Sequence, residues 1–378
     1  MLDASSSSIR GEPITVSRDP IRISDLLALA NHRAEEEELH FFGVAELSLD
    51  TDAARYRRWI EEDRHGSMTW MTRNMEVRAH PDRLLPGAKS AFVFGFFYHF
   101  GDQWQPKNME NKPLIAQYER LRDYHSFLKN KVLSIKESLQ EFCGTSTMWR
   151  VTVDSAPVLE RALAFKTGAG FIGKNTCFIH PKKGSFFLLA ELLSTWHPHD
   201  TPAKAIAASH LPRTATGGCG SCKRCQVHCP TGALNEDYRI DARKCISYWT
   251  IEHRGLIPLE FWKWVGHYLF GCDICQLVCP YNRNIGSIDN SSELIRFQKT
   301  PDLISMATMS QDYYEKIFGG TPMTRAKISG LRRNAIIAAV VNADQRILEF
   351  LDILKKDSDP LVRGTAEQVD QYRLAKSD

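Results

Sequence analysis

The spacing of the cysteines constrains this chain more than any other feature of its sequence. Eight of the ten cysteines lie between residues 211 and 290. The first run has the spacing C-x2-C-x2-C-x3-C-P and comprises Cys219, Cys222, Cys225 and Cys229. A shorter run, also followed by proline, comprises Cys272, Cys275 and Cys279. Leu269 stands where the first cysteine of this second run would be, and Cys245, between the runs, can supply the missing ligand.

These eight thiolates suffice for two 4Fe-4S clusters, because each cluster binds four. In two-cluster ferredoxins the fourth cysteine of each run binds the cluster of the other run. The rule predicts one cluster on Cys219, Cys222, Cys225 and Cys279. It predicts the second cluster on Cys229, Cys245, Cys272 and Cys275. The remaining two, Cys143 and Cys177, are interpreted as small apolar packing residues.

Two other uses of the cysteines stay open at this point. Zinc could bind paired C-x2-C knuckles, although Cys225 and Cys229 would then have no role at their spacing. A disulfide framework fits less well, because residues 1–20 lack the pattern of a secretory signal. We therefore expect a cytoplasmic protein whose cysteines serve metal or redox chemistry.

Length and charge limit the remaining possibilities. The chain has 378 residues, enough for two or three domains. Its net charge of +3 is too small to mark the whole chain as a nucleic-acid binder. The longest apolar runs span about seven residues, whereas a membrane-spanning helix needs ~20. We expect a globular chain with no membrane partner.

Changes in composition divide the chain into four parts. A serine-rich lead, expected to be disordered, precedes an α/β part, a cysteine module and a helical tail, with bounds at 1–20, 21–210, 211–290 and 291–378. Apolar residues at helical spacing predict helices over 24–38 and 123–142. Short apolar runs predict strands over 91–97 and 149–153. The run 185–193 fits either element, and a further helix is expected to begin near Asp154.

The tail is expected to be helical throughout. Two short apolar helices are predicted over 334–342 and 347–355, and a third starts at Asp359-Pro360. The third segment weakly matches one unit of a HEAT-type repeat. A basic strip, with no acidic residue between Thr321 and Arg333, comprises Arg325, Lys327, Arg332 and Arg333. It is either a solvated face or a set of phosphate contacts.

Beyond the cysteines, the chain resembles the epoxyqueuosine reductase family. The resemblance is close over about residues 21–290 and looser in the tail. The matching segments read His65-Gly-Ser-Met-Thr-Trp-Met71, Arg78-Ala-His-Pro81, Leu85-Pro86-Gly87, Arg122-Asp-Tyr-His125, Val153-Asp-Ser-Ala-Pro157, Glu160-Arg161, Gly173-Lys174, Gly184-Ser-Phe-Phe187 and Asp241-Ala-Arg-Lys-Cys-Ile-Ser-Tyr248.

This resemblance implies a cobalamin and iron–sulfur enzyme that reduces the epoxide of epoxyqueuosine in tRNA, the last step of queuosine synthesis. It implies an α+β chain with a nitroreductase-like cobalamin-binding α/β domain, a dicluster ferredoxin-like module and a C-terminal HEAT-like unit that helps to hold tRNA. The implied partners are tRNA carrying epoxyqueuosine and an external electron donor of the flavodoxin or ferredoxin type. We expect the chain to act as a monomer.

The resemblance also assigns site residues. Asp154 corresponds to the family's proton donor, with a pKa expected to be raised by burial, and His125 or Tyr124 is next in line as the acid. The expected cobalamin contacts, besides Asp154 itself, are Arg78, Ala116, Phe178, Leu189, Ser247, Cys272 and Asp273. The sequence departs from the family at Gln117 and Leu121, where many members carry Arg and Gly. The cobalamin motif D-x-H-x-x-G is absent because Leu128 follows His125 at the glycine position, so a base-off cobalamin without a histidine ligand is implied.

Simpler interpretations remain for the same residues. Asp154 could cap a helix, Arg78 could be solvated or ion-paired, and His65, His125 and His228 could be packing or surface residues. A reductive dehalogenase-like oxidoreductase would share cobalamin and clusters, but such enzymes usually carry a twin-arginine leader. A ferredoxin-type electron-transfer protein would leave residues 21–210 without a role.

Overall fold

The computed structural model describes residues 23–101, 113–196, 217–288, 294–296 and 301–375. The predicted lead at 1–20 and the predicted boundary at 210 lie outside these residues. Within them, no helix is both long and apolar enough to cross a membrane.

The strands of the described chain are β1 (His40–Glu46), β2 (Ser90–Phe97), β3 (Leu114–Ile115), β4 (Trp149–Thr152), β5 (Phe171–Ile172), β6 (Phe178–Ile179), β7 (Phe187–Ser194) and β8 (Tyr268–Phe270). An antiparallel sheet with the spatial order β1-β2-β7-β4 forms the centre of the first part. The short strands pair as β5-β6, antiparallel, and β3-β8, parallel. The β3-β8 pair ties the first part of the chain to the cysteine module.

Helices lie on both faces of the sheet. In the first part they are α1 (Ile23–Glu36), α2 (Asp50–Glu61), α3 (Thr69–Thr72), α4 (Met75–Ala79), α5 (Tyr124–Cys143) and α6 (Glu160–Lys166). In the cysteine module and the tail they are α7 (Arg224–Val227), α8 (Leu259–Val265), α9 (Ile274–Leu277), α10 (Leu303–Ala307), α11 (Gln311–Phe318), α12 (Lys327–Val341), α13 (Arg346–Leu354) and α14 (Pro360–Leu374).

Strand β2 is a continuous apolar run because both of its faces are covered. Phe92 and Phe94 belong to the core that α1 and α5 share, whereas Val93 lies in a second core with Leu163 of α6. Alternate residues of a strand point to opposite faces, so one run serves both cores. A Cβ on Gly95 would come within 2.5 Å of the Phe42 ring, so this position in the strand requires glycine.

A third core joins the cysteine module to the tail. It contains Trp262 of α8 and Phe270 of β8 together with Leu331 of α12, Leu351 of α13 and Val369 of α14. The hydrophobic core therefore crosses the boundary predicted at 290. The structure confirms helices in the tail, and the HEAT-like arrangement stays a prediction.

Most predicted elements occur within a few residues of their expected bounds, and the run 185–193 is a strand. The helix expected to begin near Asp154 starts later, at Glu160, and its N-cap residue is Leu159. Asp154 therefore caps no helix. It has a φ of 42° in the turn after β4, a left-handed conformation that aspartate tolerates better than most residues.

Candidate active site and cluster-binding cysteines

Four cysteines from the two runs line one pocket. Its walls include Cys219, Cys222, Cys225 and Cys279. Short loops bring the first three together, and the chain turns at Pro280 after the fourth. Burial raises the pKa of Cys279 to about 11, and the charges of Cys219 and Cys225 add to that effect. The grouping is the one that the crossing rule predicts for a single cluster.

The remaining four cysteines of the module form a second group. Burial raises the pKa of Cys272 well above its usual value, and the nearby thiols of Cys245 and Cys229 contribute further. A hydrogen bond with Cys177 and burial raise the pKa of Cys275 well above its usual value, and the charges of Cys272 and Cys245, which add to this, place Cys275 in the same group. Thiols held this close in the protein interior disfavour one another's charge. A bound cation reverses that preference and holds them as thiolates.

All ten cysteines are free thiols, so the disulfide framework weighed from the sequence is wrong. Among the described residues, no three His, Cys, Asp or Glu side chains converge on a position for a single metal ion. A four-iron cluster asks for a different arrangement, with thiolates spread around a larger centre.

A loop from the first part of the chain contacts both groups of cysteines. The backbone N–H of Lys174 donates to Cys219 Sγ at 3.3 Å, and Asn175 Nδ2 donates to the carbonyl of Cys275 at 3.2 Å. The thiol of Cys177 lies 3.6 Å from Gln276 Oε1. Cys177 thus sits at the cluster module, whereas Cys143 is buried in α5 as the packing residue that was expected.

Asp154 is held by two side chains of α5. Tyr124 Oη donates to Asp154 Oδ2 at 2.7 Å, and His125 Nε2 lies 3.0 Å from the same oxygen. The other ring nitrogen, His125 Nδ1, lies 2.7 Å from Asp123 Oδ1. Asp123 also caps α5 by accepting from the backbone N–H of His125. The start of the helix therefore fixes the ring that faces Asp154.

The charge of Asp154 is opposite to the one expected from the sequence. The hydrogen bond to Asp154 is the largest of the effects that raise the pKa of His125 to about 8. Burial alone would raise the pKa of Asp154, but hydrogen bonds from His125 and Tyr124 outweigh it and hold the pKa below its usual value. The expectation of a raised Asp154 pKa is wrong, because the carboxylate accepts hydrogen bonds from His125 and Tyr124 that outweigh the effect of burial. At neutral pH the proton resides on His125.

Sequence reasoning missed a second, half-buried carboxyl group, that of Glu160, behind Asp154. The backbone N–H of Asp154 donates to Glu160 Oε1 at 2.5 Å. Burial raises the pKa of Glu160 to about 8, with a further increase from the charge of Asp154. The pair Glu160-Arg161 in the matching segments marked the position, but nothing in the sequence indicated its burial.

The structure brings several of the expected cobalamin contacts together. The backbone N–H of Ala116 donates to the carbonyl of Phe270, two residues before Cys272, and the next N–H, that of Gln117, donates to Asp273 Oδ2 at 2.6 Å. A Cβ on Gly271 would come within 2.5 Å of Ala116 Cβ. The Gly271 N–H donates to the hydroxyl of Thr250, whose Oγ1 also lies 3.5 Å from the carbonyl of Ser247.

Other expected contacts lie in separate surroundings. Phe178 and Leu189 belong to the apolar core beneath the sheet, where Phe178 packs edge-on against Phe42. Arg78 lies on α4 beside the rings of Tyr56 and Trp70. Its Nε and the Nε2 of Gln117 are buried donors without a protein acceptor in the described chain.

The departures at 117 and 121 have a structural explanation. Gln117 is buried, and its side-chain oxygen accepts from the backbone N–H of Phe100 at 2.8 Å. Leu121 is completely buried and belongs to the core of α1 and α5. Both residues hold the segment that carries Ala116 in place.

The basic strip of the tail is not a continuous surface. Arg333 is fully buried, and its guanidinium donates to the carbonyls of Trp249, His253 and Gly255. Arg332 is largely buried and donates to both carboxylate oxygens of Asp357. The prediction that these two arginines contact phosphates is wrong, because α12 turns them into the protein. Arg325 and Lys327 are exposed, and Arg325 pairs with Glu252 at 3.0 Å.

Two models of known protein families match this chain, one over the aspartate site and one over the cysteine module. Residues 78–155 match the family model described as "Epoxyqueuosine reductase QueG, DUF1730", and residues 218–282 match a "4Fe-4S double cluster binding domain". The first match begins at Arg78 and includes Asp154. The second contains all eight cysteines of the module.

Full-length relatives extend the similarity over most of the chain. An epoxyqueuosine reductase from Xanthomonas campestris is 35% identical over 352 residues, covering 90% of this chain and 94% of that protein. One from Escherichia coli is 33% identical, covering 91% and 88%.

Among solved structures, epoxyqueuosine reductase from Streptococcus thermophilus has a TM-score of 0.78 at 27% identity, covering 94% of this chain and 92% of that one. An epoxyqueuosine reductase bound to an epoxyqueuosine-modified tRNA-Tyr stem loop has a TM-score of 0.75 at 25% identity, covering 92% and 90%. The chain combines an aspartate site with a dicluster module, and its relatives match it over most of its length. The chain therefore belongs to the epoxyqueuosine reductase family.

Proposed function

We propose that this protein reduces the epoxide of epoxyqueuosine in the anticodon loop of tRNA, the last step of queuosine synthesis. Family membership supports the reaction, and the relative bound to an epoxyqueuosine-modified stem loop supports the substrate. The main support for a redox reaction is the pocket lined by Cys219, Cys222, Cys225 and Cys279, because it brings together thiols from both cysteine runs. An acid site at Asp154 and His125 supplies what an epoxide reduction needs in addition.

Two 4Fe-4S clusters fit the two groups of cysteines, with Cys229, Cys245, Cys272 and Cys275 holding the second. Cobalamin fits the segments around Ala116 and Asp273, because the unpaired buried donors of Arg78 and Gln117 suit a group rich in carbonyl oxygens. When bound, these cofactors supply the electrons, while the protein supplies orientation and protons. Phe178, Leu189 and Ser247 complete the proposed cobalamin contacts.

The protein's own contribution to the chemistry centres on Asp154. Its exposed carboxyl faces outward, where the epoxide oxygen must take up protons as it leaves as water. His125 holds a proton 3.0 Å behind it, and Asp123 on the far side of the ring stabilises that imidazolium. Asp154 therefore delivers the proton, and His125 supplies it. Tyr124 keeps the carboxyl pointed at the site.

The proposed partners are tRNA carrying epoxyqueuosine and an external electron donor of the flavodoxin or ferredoxin type. A tRNA substrate places the reaction in the cytoplasm. The tail is proposed as the part that holds tRNA, as a HEAT-like unit packed on the cysteine module, with the α/β part nitroreductase-like. Exposed Arg325 and Lys327 are the members of the basic strip available for RNA.

Turnover on authentic substrate tests the proposal. Anaerobically prepared protein, loaded with iron, sulfide and cobalamin, is incubated with tRNA carrying epoxyqueuosine and a chemical reductant, and the tRNA nucleosides are analysed by mass. We expect a nucleoside lighter by one oxygen atom, formed only with both cofactors present. Dehalogenation of a halogenated organic compound without any action on tRNA would instead favour a reductive dehalogenase-like enzyme.

A further inference from the structure

An exposed tryptophan lies between two arginines at the edge of the aspartate site. Trp70, on the short helix α3, leaves 40% of its surface exposed. The guanidinium of Arg325 lies 5.0 Å from the centre of its ring, and that of Arg78 lies 6.0 Å away. Both are cation–π distances. The three side chains come from separate segments, since Arg325 belongs to the tail and Arg78 to α4.

This group lies next to the acid site. Arg325 is close enough to Asp154 that its charge helps to lower the pKa of that carboxyl. Arg78 exerts the same effect on Glu160, directly behind Asp154. The two arginines that contact the Trp70 ring thus act on the two carboxyl groups of the acid site.

Arg325, the member of this group that belongs to the tail, is held in place by hydrogen bonds. Arg325 pairs with both carboxylate oxygens of Glu252, at 3.0 and 3.1 Å. The guanidinium of Arg254 donates to the carbonyl of Arg325 at 2.7 Å and to that of Ile251. The position of Arg325 over the ring is thus set by the fold rather than by a freely moving side chain. Arg325 therefore covers part of a ring that is held in place, and the 40% of Trp70 that stays exposed is preorganised for a flat partner.

We infer that Trp70 is a stacking platform for an unpaired nucleotide of the tRNA loop, with the exposed Arg325 beside it to meet an adjoining phosphate. The inference rests on the proposed function and adds a specific contact to it. Proteins bind single-stranded nucleic acid by combining aromatic faces for bases with positive charge for the backbone. Sequence-specific binding of RNA favours unstacked loop bases for the same reason. At the edge of a site that must admit one loop nucleotide, Trp70 supplies the aromatic face and Arg325 supplies the positive charge.

The test measures binding of an unmodified anticodon stem loop to the cofactor-loaded protein by fluorescence anisotropy, so it does not depend on turnover. We expect Trp70→Leu to raise the Kd by about ten-fold, as loss of one base–aromatic stack does. Trp70→Tyr should restore most of the affinity. The matched control is Trp264→Leu, since Trp264 carries Lys263 at 4.3 Å over its ring on another helix, α8. Its Kd should equal that of the wild type.

Salt dependence separates stacking from charge. Trp70→Leu should shift the Kd at every salt concentration and keep the slope of log Kd against log salt, whereas Arg325→Ala should reduce that slope by about one phosphate contact. Equal affinities of Trp70→Leu and wild type would overturn the inference. Loss of bound cobalamin from Trp70→Leu would overturn it as well, because the ring would then belong to the cofactor site. If the wild type binds the loop with this pattern but yields no queuosine, the inference stands and the proposed function fails.

Discussion

Thiols of the cysteine module and guanidinium groups of the tail both form clusters in the sequence, but they end in opposite surroundings. Cys219 and Cys279 face a common pocket. Arg333 faces inward, where backbone carbonyls take up its donors. The difference teaches that a cluster of like groups is available for a ligand only where the protein leaves it unsatisfied. Cysteines that face one another meet that condition, and arginines that donate to carbonyls do not.

The largest effect should come from the cysteines. Cys279→Ala removes one of four ligands, so we expect loss of one cluster, about four of eight iron atoms per chain, together with turnover. Cys143→Ala is the control, because that thiol is buried in α5. Iron and acid-labile sulfide are measured after anaerobic reconstitution. Full iron content in Cys279→Ala, or loss of iron from Cys143→Ala, would show that the ligand assignment is wrong.

The contrast between thiols and arginines also explains what the sequence could reveal. The cysteine grouping was readable because short loops leave few ways to arrange C-x2-C-x2-C, and Pro230 and Pro280 fix where each run ends. The apolar run of helix α12 predicted the helix. It did not predict which side of the helix is buried, because packing against the segment around Trp249 decides where Arg333 points. Likewise, the charge of Asp154 depends on His125, which lies 29 residues away in sequence.

Asp154→Asn should have the second largest effect. The amide keeps the shape of the carboxyl but cannot pass on a proton, so we expect kcat to fall by about 10²-fold or more while iron and cobalamin contents stay at wild-type levels. Single-turnover formation of queuosine measures the rate. A variant that reacts as fast as the wild type would mean that His125 or Tyr124 acts on the substrate directly.

Arg333→Met tests the burial of the tail arginine. The substitution removes the donor of three backbone carbonyls, those of Trp249, His253 and Gly255, so we expect a loss of about 3 kcal/mol of stability and a fall in Tm of about 5 °C or more. Binding of the tRNA stem loop at a temperature where the variant is folded should keep the wild-type salt slope. Arg325→Ala should do the reverse, with an unchanged Tm and a smaller slope. A reduced slope in Arg333→Met at unchanged Tm would restore the basic strip as an RNA surface.

The smallest effect concerns pH. Since the pKa of His125 is raised to about 8, the imidazolium is present below that pH and is lost as the pH rises through it. We expect kcat to fall on the alkaline side with an apparent pKa near 8. In His125→Gln that limb should disappear at a lower overall rate. An alkaline limb at the same pH in the variant would assign it to another group, with Glu160 as the first candidate.

The most direct test of the account compares three proteins on one substrate: wild type, Asp154→Asn and Cys279→Ala, each incubated with tRNA carrying epoxyqueuosine and excess reductant. The measured quantity is queuosine formed per chain. The account predicts conversion by the wild type and almost none by either variant, with the two variants separated by their iron content. Conversion by Cys279→Ala at the wild-type rate, or none by a wild type that carries both clusters and cobalamin, would contradict it.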